Sequence, residues 1–190
     1  DRLPLYREPA EALLKPAGGK VVAEFEELLA MRPDAVVIAS NGKRQVEHAC
    51  QALEAGCHVL SEVPGADTFE ELIRLRDTVE RTGRVYMLDE NSCFLDFLRY
   101  WRKWVVDDRL GPISLAEAEY LHYLPETLSA PDGTRISPSR ARALGRTDCR
   151  PIWRADQPPI QYLTHDLGPL LEVLDDRCVS VTCRSAPWRS

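Results

Sequence analysis

AVVIASNGKRQVEHACQALEAGCHVLSEVP, residues 35–64, is the stretch that decides the fold. It opens with an apolar strand, continues through apolar residues at helical spacing, and closes with a second strand that leads into Glu62. After another helical segment, a third strand follows as VYMLD at 85–89. Strands that alternate with helices form a parallel sheet, so the chain is predicted to be an α/β protein. The first strand is apolar almost throughout, which predicts burial on both of its faces.

Polar side chains lie at the carboxyl end of each predicted strand. Ser40 and Asn41 follow the first strand, Glu62 follows the second, and Glu90 with Asn91 follows the third. Parallel sheets present their functional loops at the carboxyl ends of the strands. We therefore expect these residues to form the binding edge of the sheet.

The composition is that of an ordinary globular protein, with 44% hydrophobic and 28% charged residues in 190. The formal net charge of -6 argues against a nucleic-acid partner, because phosphate backbones bind to a basic face. No apolar run reaches the roughly 20 residues that a membrane-spanning helix needs. The six cysteines include no C-x-x-C pair, so we expect no metal site and a reduced, cytoplasmic protein.

The second half of the chain carries weaker patterns. Bulky residues at helical spacing predict a core-facing helix over 94–106, and loose alternation predicts a long strand over 113–124. Residues 125–159 are rich in Pro, Gly, Ser and Arg and predict a long loop of the kind that is either functional or disordered. A helix over 162–174 and a strand over 179–183 are expected to follow.

The chain resembles the Gfo/Idh/MocA family of NAD(P)-dependent sugar oxidoreductases through four motifs in a characteristic order: DAVVIAS (34–40), ALEAG (52–56), HVLSEVP (58–64) and TGRV (82–85). The resemblance implies a Rossmann-type sheet, yet the G-x-G-x-x-G loop that holds the pyrophosphate in such folds is absent. We therefore expect a fragment. Residues 1–92 would be a partial dinucleotide-binding domain without its glycine-rich first unit, and residues 93–190 a partial α+β substrate domain. The full-length protein is expected to form a homo-oligomer through its C-terminal sheet.

The resemblance also implies which residues bind the cofactor, NAD or NADP. Ser40 and Asn41 correspond to the loop that touches the phosphates or the adenine-side ribose. Glu62 would contact the nicotinamide ribose, with Pro64 fixing the turn that follows it. Asn91 matches an asparagine near the nicotinamide end of the cofactor.

The family's catalytic lysine is replaced by Val63 in this chain, and valine cannot move a proton. We therefore expect the catalytic base to lie later in the chain. Tyr120 and His122 are two residues apart on a predicted strand, so their side chains face the same side. His165 begins a predicted helix beside Tyr162, and the positive end of a helix favours the neutral form of imidazole, which can accept a proton. We predict His165 as the catalytic base, with Tyr120 or His122 assisting.

Three functions remain open from the sequence. The first is hydride transfer between NAD(P) and a hydroxyl of a sugar or cyclitol. The second, from resemblance to the family's α-N-acetylgalactosaminidase branch, is a glycosidase that oxidises its substrate transiently and then returns the hydride. The third is a sugar-binding or assembly protein that keeps the fold without catalysis. The catalytic and cofactor residues named above belong to the first two.

Overall fold

The computed structural model describes residues 4–121, 123–156 and 159–184. One predicted site residue, His122, lies outside the described residues. The chain divides into two compact units, one formed by residues 1–89 with 121–161 and the other by residues 90–120 with 162–190. The domain division expected near residue 92 stays a prediction about the whole protein. No helix in the described part of the chain has the length and apolar character to cross a membrane.

The first unit contains the predicted parallel sheet, which confirms the α/β class. Its strands are β1 (Ala35–Ile38), β2 (His58–Ser61) and β3 (Tyr86–Leu88), hydrogen-bonded in the order β1-β2-β3. All pairs are parallel, and Ala35 lies opposite His58 at the amino-terminal edge. Helices α3 (Gly42–Glu54) and α4 (Phe69–Thr82) make the two crossover connections.

Local sequence signals decide where these two helices begin and end. The Asn41 side chain accepts a hydrogen bond from the backbone N–H of Lys43 and so caps α3. Thr68 and Glu71 form a reciprocal capping box at the start of α4. Gly83 ends α4 in the left-handed conformation, which glycine adopts without steric cost. Both ends of α4 are therefore set by residues within one turn of the helix.

The hydrophobic core lies on one face of the sheet. Val36 and Ile38 point into it, and α2 (Phe25–Ala30), α3 and α4 supply the covering side chains. The expectation that β1 is buried on both faces is wrong, since Val37 is 68% exposed. Side chains alternate between the faces of a strand, so helices on one face leave every second residue uncovered. The buried core residues are Val36, Ile38, Val46, Ala49, Cys50, Ala52, Leu53, Cys57, Val59 and Leu75.

The first unit also contains two segments outside the parallel sheet. Helix α1 (Pro4–Leu14) precedes α2 in the chain. Residues expected to be one long loop instead form a small antiparallel sheet of β4 (Leu128–Ser129), β5 (Arg135–Ile136) and β6 (Arg150–Pro151), with the short helix α6 (Pro138–Ala143) between β5 and β6. Ile136 and Ala141 are buried, so this segment has its own small apolar contacts.

The second unit is helical in its described part. A 3-10 turn (Asn91–Phe94) leads into α5 (Asp96–Val106), and α7 (Thr164–Leu174) packs against both. The strands expected over 113–124 and 179–183 are absent from the described residues of those ranges, which pair with no ladder partner. Val179 is 91% exposed, in keeping with an unpaired segment.

The expectation that α5 presents its bulky stripe to a core is wrong for most of the stripe. Only Leu98 is buried, whereas Phe97, Trp101 and Trp104 are each more than two-fifths exposed. The helix is present as the spacing predicts, but helical spacing shows only that the side chains share a face. Whether that face is covered depends on elements elsewhere in the chain.

Candidate active site

The loops that follow β1 and β2 are joined by one buried side chain, Gln45. Its Nε2 donates to the carbonyl oxygens of Ser40 at 3.3 Å and Val63 at 3.2 Å, and its Oε1 accepts from the backbone N–H of Gly65 at 3.0 Å. Gln45 is 1% exposed, so these bonds replace water for three backbone groups. The first turn of α3 thereby holds both loops in place.

The predicted cofactor residues of the first unit lie on these two loops. Ser40 is half-buried, with its hydroxyl 3.1 Å from His48 Nδ1, and Asn41 is exposed. Glu62 is exposed, and its carboxylate accepts from the backbone N–H of Val63 at 3.0 Å. Pro64 follows, after a cis peptide bond. The structure thus places these side chains at the carboxyl edge of the sheet, as the sequence predicted.

These residues fit one part of a dinucleotide. An exposed carboxylate at Glu62 is the acceptor that ribose hydroxyls require, and Ser40 and Asn41 add a hydroxyl and an amide at the same edge. The pyrophosphate needs a glycine-rich turn before a helix. Among the described residues, the connection from β1 into α3 carries a single glycine, Gly42, which is the first residue of α3, and it has no G-x-G-x-x-G pattern.

A carboxylate–imidazole pair forms the centre of the second unit. Glu90 Oε1 lies 2.7 Å from His165 Nδ1, and both side chains are nearly buried, with exposures of 8% and 12%. The same oxygen accepts from the backbone N–H of Ser92 at 2.9 Å. An ionised carboxylate can only accept, so Nδ1 carries the ring proton and Nε2 is left as the acceptor of a neutral imidazole.

The environment keeps Glu90 ionised. Burial acts to raise the pKa of this carboxyl, but hydrogen bonds from His165 and the backbone of Ser92, together with the nearby Thr164 hydroxyl, outweigh burial and lower the pKa below its ordinary value. Glu90 Oε2 and Thr164 Oγ1 are buried without a hydrogen bond of ordinary geometry to any described residue. Thr164 is nevertheless close enough to contribute to the lowering of the pKa.

Two tyrosine rings lie against the imidazole. The Tyr120 centroid is 4.7 Å from that of His165, and the Tyr162 centroid is 6.0 Å from it. The two tyrosine rings themselves stack at 5.8 Å with an interplanar angle of 22°. Aromatic contacts at these distances favour a defined ring orientation. The imidazole is therefore hydrogen-bonded to Glu90 through one nitrogen and lies beside two tyrosine rings that also stack on each other.

Close packing between α7 and the 3-10 turn sets the geometry of the pair. A Cβ atom at Gly168 would lie 3.0 Å from Cys93 Sγ and 3.2 Å from Glu90 Cγ, so the glycine permits the approach. Burial, with the charges of Glu90 and Glu172, raises the pKa of the Cys93 thiol and so disfavours its nucleophilic thiolate. Burial likewise raises the pKa of Asp166, the neighbour of His165.

The structure brings some of the predicted catalytic residues together. His165 lies in the first turn of α7 and contacts Tyr120, whereas Asn91 is exposed in the 3-10 turn. Sequence reasoning missed Glu90 as the partner of His165, because no motif links two residues so far apart in the chain. It also missed the clamp made by Gln45. The described residues contain no cluster of three or more metal-ligating side chains.

A protein-family model matches the first part of the chain. Residues 6–90 match the family model GFO_IDH_MocA, described as "Oxidoreductase family, NAD-binding Rossmann fold". The matched range contains the whole parallel sheet and both crossover helices. The match confirms the Rossmann-type fold that the sequence predicted.

Curated relatives match a large part of this chain. Glycosyl hydrolase family 109 protein 2 of Akkermansia muciniphila is 32% identical over 165 residues, which are 84% of this chain and 32% of that protein. D-glucoside 3-dehydrogenase of Escherichia coli is 35% identical over 114 residues, which are 59% of this chain and 32% of that protein. The chain therefore spans about one-third of the length of these relatives.

A solved structure shows the same fold. The WlbA dehydrogenase from Bordetella pertussis, in complex with NADH and UDP-GlcNAcA, is similar with a TM-score of 0.54 and 25% identity. The similarity covers 58% of this chain and 32% of that one.

Proposed function

From the match of residues 6–90 to the Gfo/Idh/MocA family of NAD-binding Rossmann oxidoreductases, we propose that the whole protein is an NAD(P)-dependent oxidoreductase. Its substrate would be a sugar or cyclitol, which reacts at one of its hydroxyl groups. The dehydrogenase relatives support this class of reaction. Because the chain spans only 32% of the length of the first two relatives, the proposal concerns the full-length protein.

The observation that carries the proposal is the Glu90–His165 pair. When bound, NAD(P) accepts a hydride from the carbinol carbon, and the hydroxyl proton must leave at the same centre. His165 Nε2 is the group that would take this proton, since Nδ1 is committed to Glu90 Oε1 at 2.7 Å. The carboxylate of Glu90 then stabilises the imidazolium that forms.

The remaining predicted residues take supporting roles in this proposal. Tyr120 and Tyr162 orient the imidazole and offer hydroxyl groups to a polar substrate. Glu62 would hold the ribose of the nicotinamide half, with Ser40, Asn41 and Asn91 as further polar contacts. Since Val63 cannot act as an acid or base, proton transfer falls to His165, with Tyr120 or His122 assisting.

A second candidate function is the redox-cycling glycosidase. It is supported by the family 109 relative, which matches 84% of this chain, whereas the glucoside 3-dehydrogenase match covers 59%. The proton balance also fits: elimination requires a base for the carbon beside the transient ketone, and His165 Nε2 is an available acceptor. The non-catalytic alternative requires instead that the Glu90–His165 pair be purely structural.

Kinetics of the full-length protein separate these functions. Net NADH formation with free sugars or cyclitols supports the oxidoreductase, whereas hydrolysis of a nitrophenyl glycoside without net NADH supports the glycosidase. In either case His165→Ala is expected to lower kcat/KM by about 10²–10⁴-fold, the usual contribution of general base catalysis. Glu117→Gln, an exposed carboxyl of the same unit, is the matched control and should leave the rate unchanged. Retained turnover in His165→Ala would refute the proposed base.

A further inference from the structure

A polar cleft of about 480 Å³ lies at the amino-terminal edge of the parallel sheet, opposite the predicted cofactor edge. It is lined by the residues that precede β1 and β3, the first residue of β2 and the end of α3: Arg32, Pro33, Asp34, Ala55, Gly56, His58 and Arg84. All of these residues belong to the first unit. The proposed oxidoreductase chemistry uses none of them.

Backbone pairing fixes the one imidazole of this cleft. The N–H of His58 donates to the carbonyl oxygen of Asp34 at 2.8 Å, and His58 Nδ1 accepts from the N–H of Val85 at 3.0 Å. Since Nδ1 is an acceptor here, the ring proton lies on Nε2. The ring therefore lines the cleft as a hydrogen-bond donor of fixed tautomer.

Two guanidinium groups accompany this donor. Arg32 and Arg84 are both exposed, and within the described part of the chain neither forms an ion pair. Arg84 Nη2 lies 3.7 Å from the position that a Cβ atom of Gly56 would occupy, so the absence of that side chain leaves room beside Arg84. Guanidinium groups present forked donors that match the oxygens of phosphate.

Arg32 occupies a backbone position that favours another residue. Its φ is 53°, and its N–H donates to Leu29 at the end of α2, the place where glycine commonly terminates a helix. A residue with a side chain is less stable than glycine in this left-handed conformation, because its Cβ atom approaches the following carbonyl oxygen. Arg32 therefore places a guanidinium group at the cleft, although the backbone conformation at this position favours glycine.

We propose that this cleft binds a phosphate group, either free or as a monoester. The donors are the Arg32 and Arg84 guanidinium groups and His58 Nε2–H, which together offer more positive charge than the single carboxylate of Asp34 removes. The Asp34 carboxylate repels a phosphate anion. Substitutions in this cleft can therefore be chosen either to weaken or to tighten phosphate binding.

The test is a titration of the 190-residue chain with inorganic phosphate at low ionic strength, followed by calorimetry or ³¹P NMR. Arg32→Gly removes one guanidinium while relaxing the backbone, and we expect the Kd to rise about tenfold, as for the loss of a charge-assisted hydrogen bond. Arg84→Gln should weaken binding to a similar extent. Asp34→Asn should tighten binding about two- to fivefold, because it removes a like charge near the ligand.

Arg74→Gln is the matched control, since Arg74 is an exposed arginine of α4 outside the cleft. Its affinity for phosphate should equal that of the unaltered chain. Circular dichroism checks folding, and Arg32→Gly together with Asp34→Asn keeps the test decisive if Arg84→Gln does not fold.

The outcomes are clear-cut. If glycerol 3-phosphate binds with an affinity similar to that of inorganic phosphate, the cleft accepts phosphate monoesters. If only inorganic phosphate binds, the cleft is a site for the free anion. The proposal is overturned if no saturable binding occurs by about 10 mM phosphate. It is equally overturned if Arg74→Gln weakens binding as much as Arg32→Gly, or if Asp34→Asn weakens it.

Discussion

The Glu90→Gln substitution tests whether the negative charge of the buried carboxylate stabilises its hydrogen bond with His165. The substitution keeps the size of the side chain but replaces an ionised acceptor with a neutral amide. Oxygen Oε1 accepts two hydrogen bonds, from His165 Nδ1 at 2.7 Å and from Ser92 N at 2.9 Å. A bond to a charged acceptor contributes about 1 kcal/mol more than a neutral one, so we expect a loss of about 2 kcal/mol in the free energy of unfolding.

The pH dependence of this loss follows from the lowered pKa of Glu90. A carboxyl whose pKa is lower in the folded state stabilises the fold above its unfolded pKa, which is about 4.3 for glutamate. That stabilisation disappears as the pH falls through the folded pKa. The difference between the unaltered chain and Glu90→Gln should therefore be complete at pH 7 and should shrink below about pH 4.3.

Urea unfolding followed by tryptophan fluorescence and circular dichroism measures this difference at a series of pH values. Glu117→Gln, an exposed carboxyl of the same unit, should change the free energy of unfolding by less than about 0.5 kcal/mol. Equal stability of Glu90→Gln and the unaltered chain at pH 7 would refute the reasoning. So would a loss that stays constant from pH 7 down to the acid transition, because the carboxylate charge would then play no part.

Three further outcomes are expected. Gln45→Ala should cost about 2–4 kcal/mol in urea unfolding, because three backbone groups lose their buried partner, whereas Gln51→Ala on the same helix should cost far less. Gly168→Ala should destabilise the chain by about 1–3 kcal/mol through its contact with Cys93, and adding Cys93→Ala should restore most of the loss; an unchanged melting temperature for Gly168→Ala would contradict the close packing. The 190-residue chain should bind NAD with a Kd weaker than about 1 µM, measured by NADH fluorescence, because it has no glycine-rich phosphate loop; submicromolar binding would contradict this account.

The elements of the parallel sheet and its two crossover helices follow closely from local sequence. Alternating strands and helices, the cap at Thr68 and the stop at Gly83 all act within a few residues, and each is present in the structure. The errors concern partners that are remote in the chain. Val37 and Trp101 have the apolar character of buried residues, yet burial requires a covering element, which periodicity alone does not supply.

The candidate site divides in the same way. His165 at a helix start and the polar residues after β1 and β2 are predictable, because helix starts and strand ends are local features. The partner of His165 is not. Glu90 meets it only because α7 packs against the 3-10 turn, and Gly168 allows that approach.

By itself, the sequence determined the α/β class, the positions of the principal helices and strands in the first unit, and the family resemblance carried by residues 34–85. These depend on short-range periodicity, capping and turn chemistry, which a linear pattern records. The tertiary structure alone decided that Glu90 orients His165, that Gln45 clamps two loops, and that Arg32, His58 and Arg84 share one cleft. Such contacts arise from the packing of elements distant in the chain, so no local pattern specifies them.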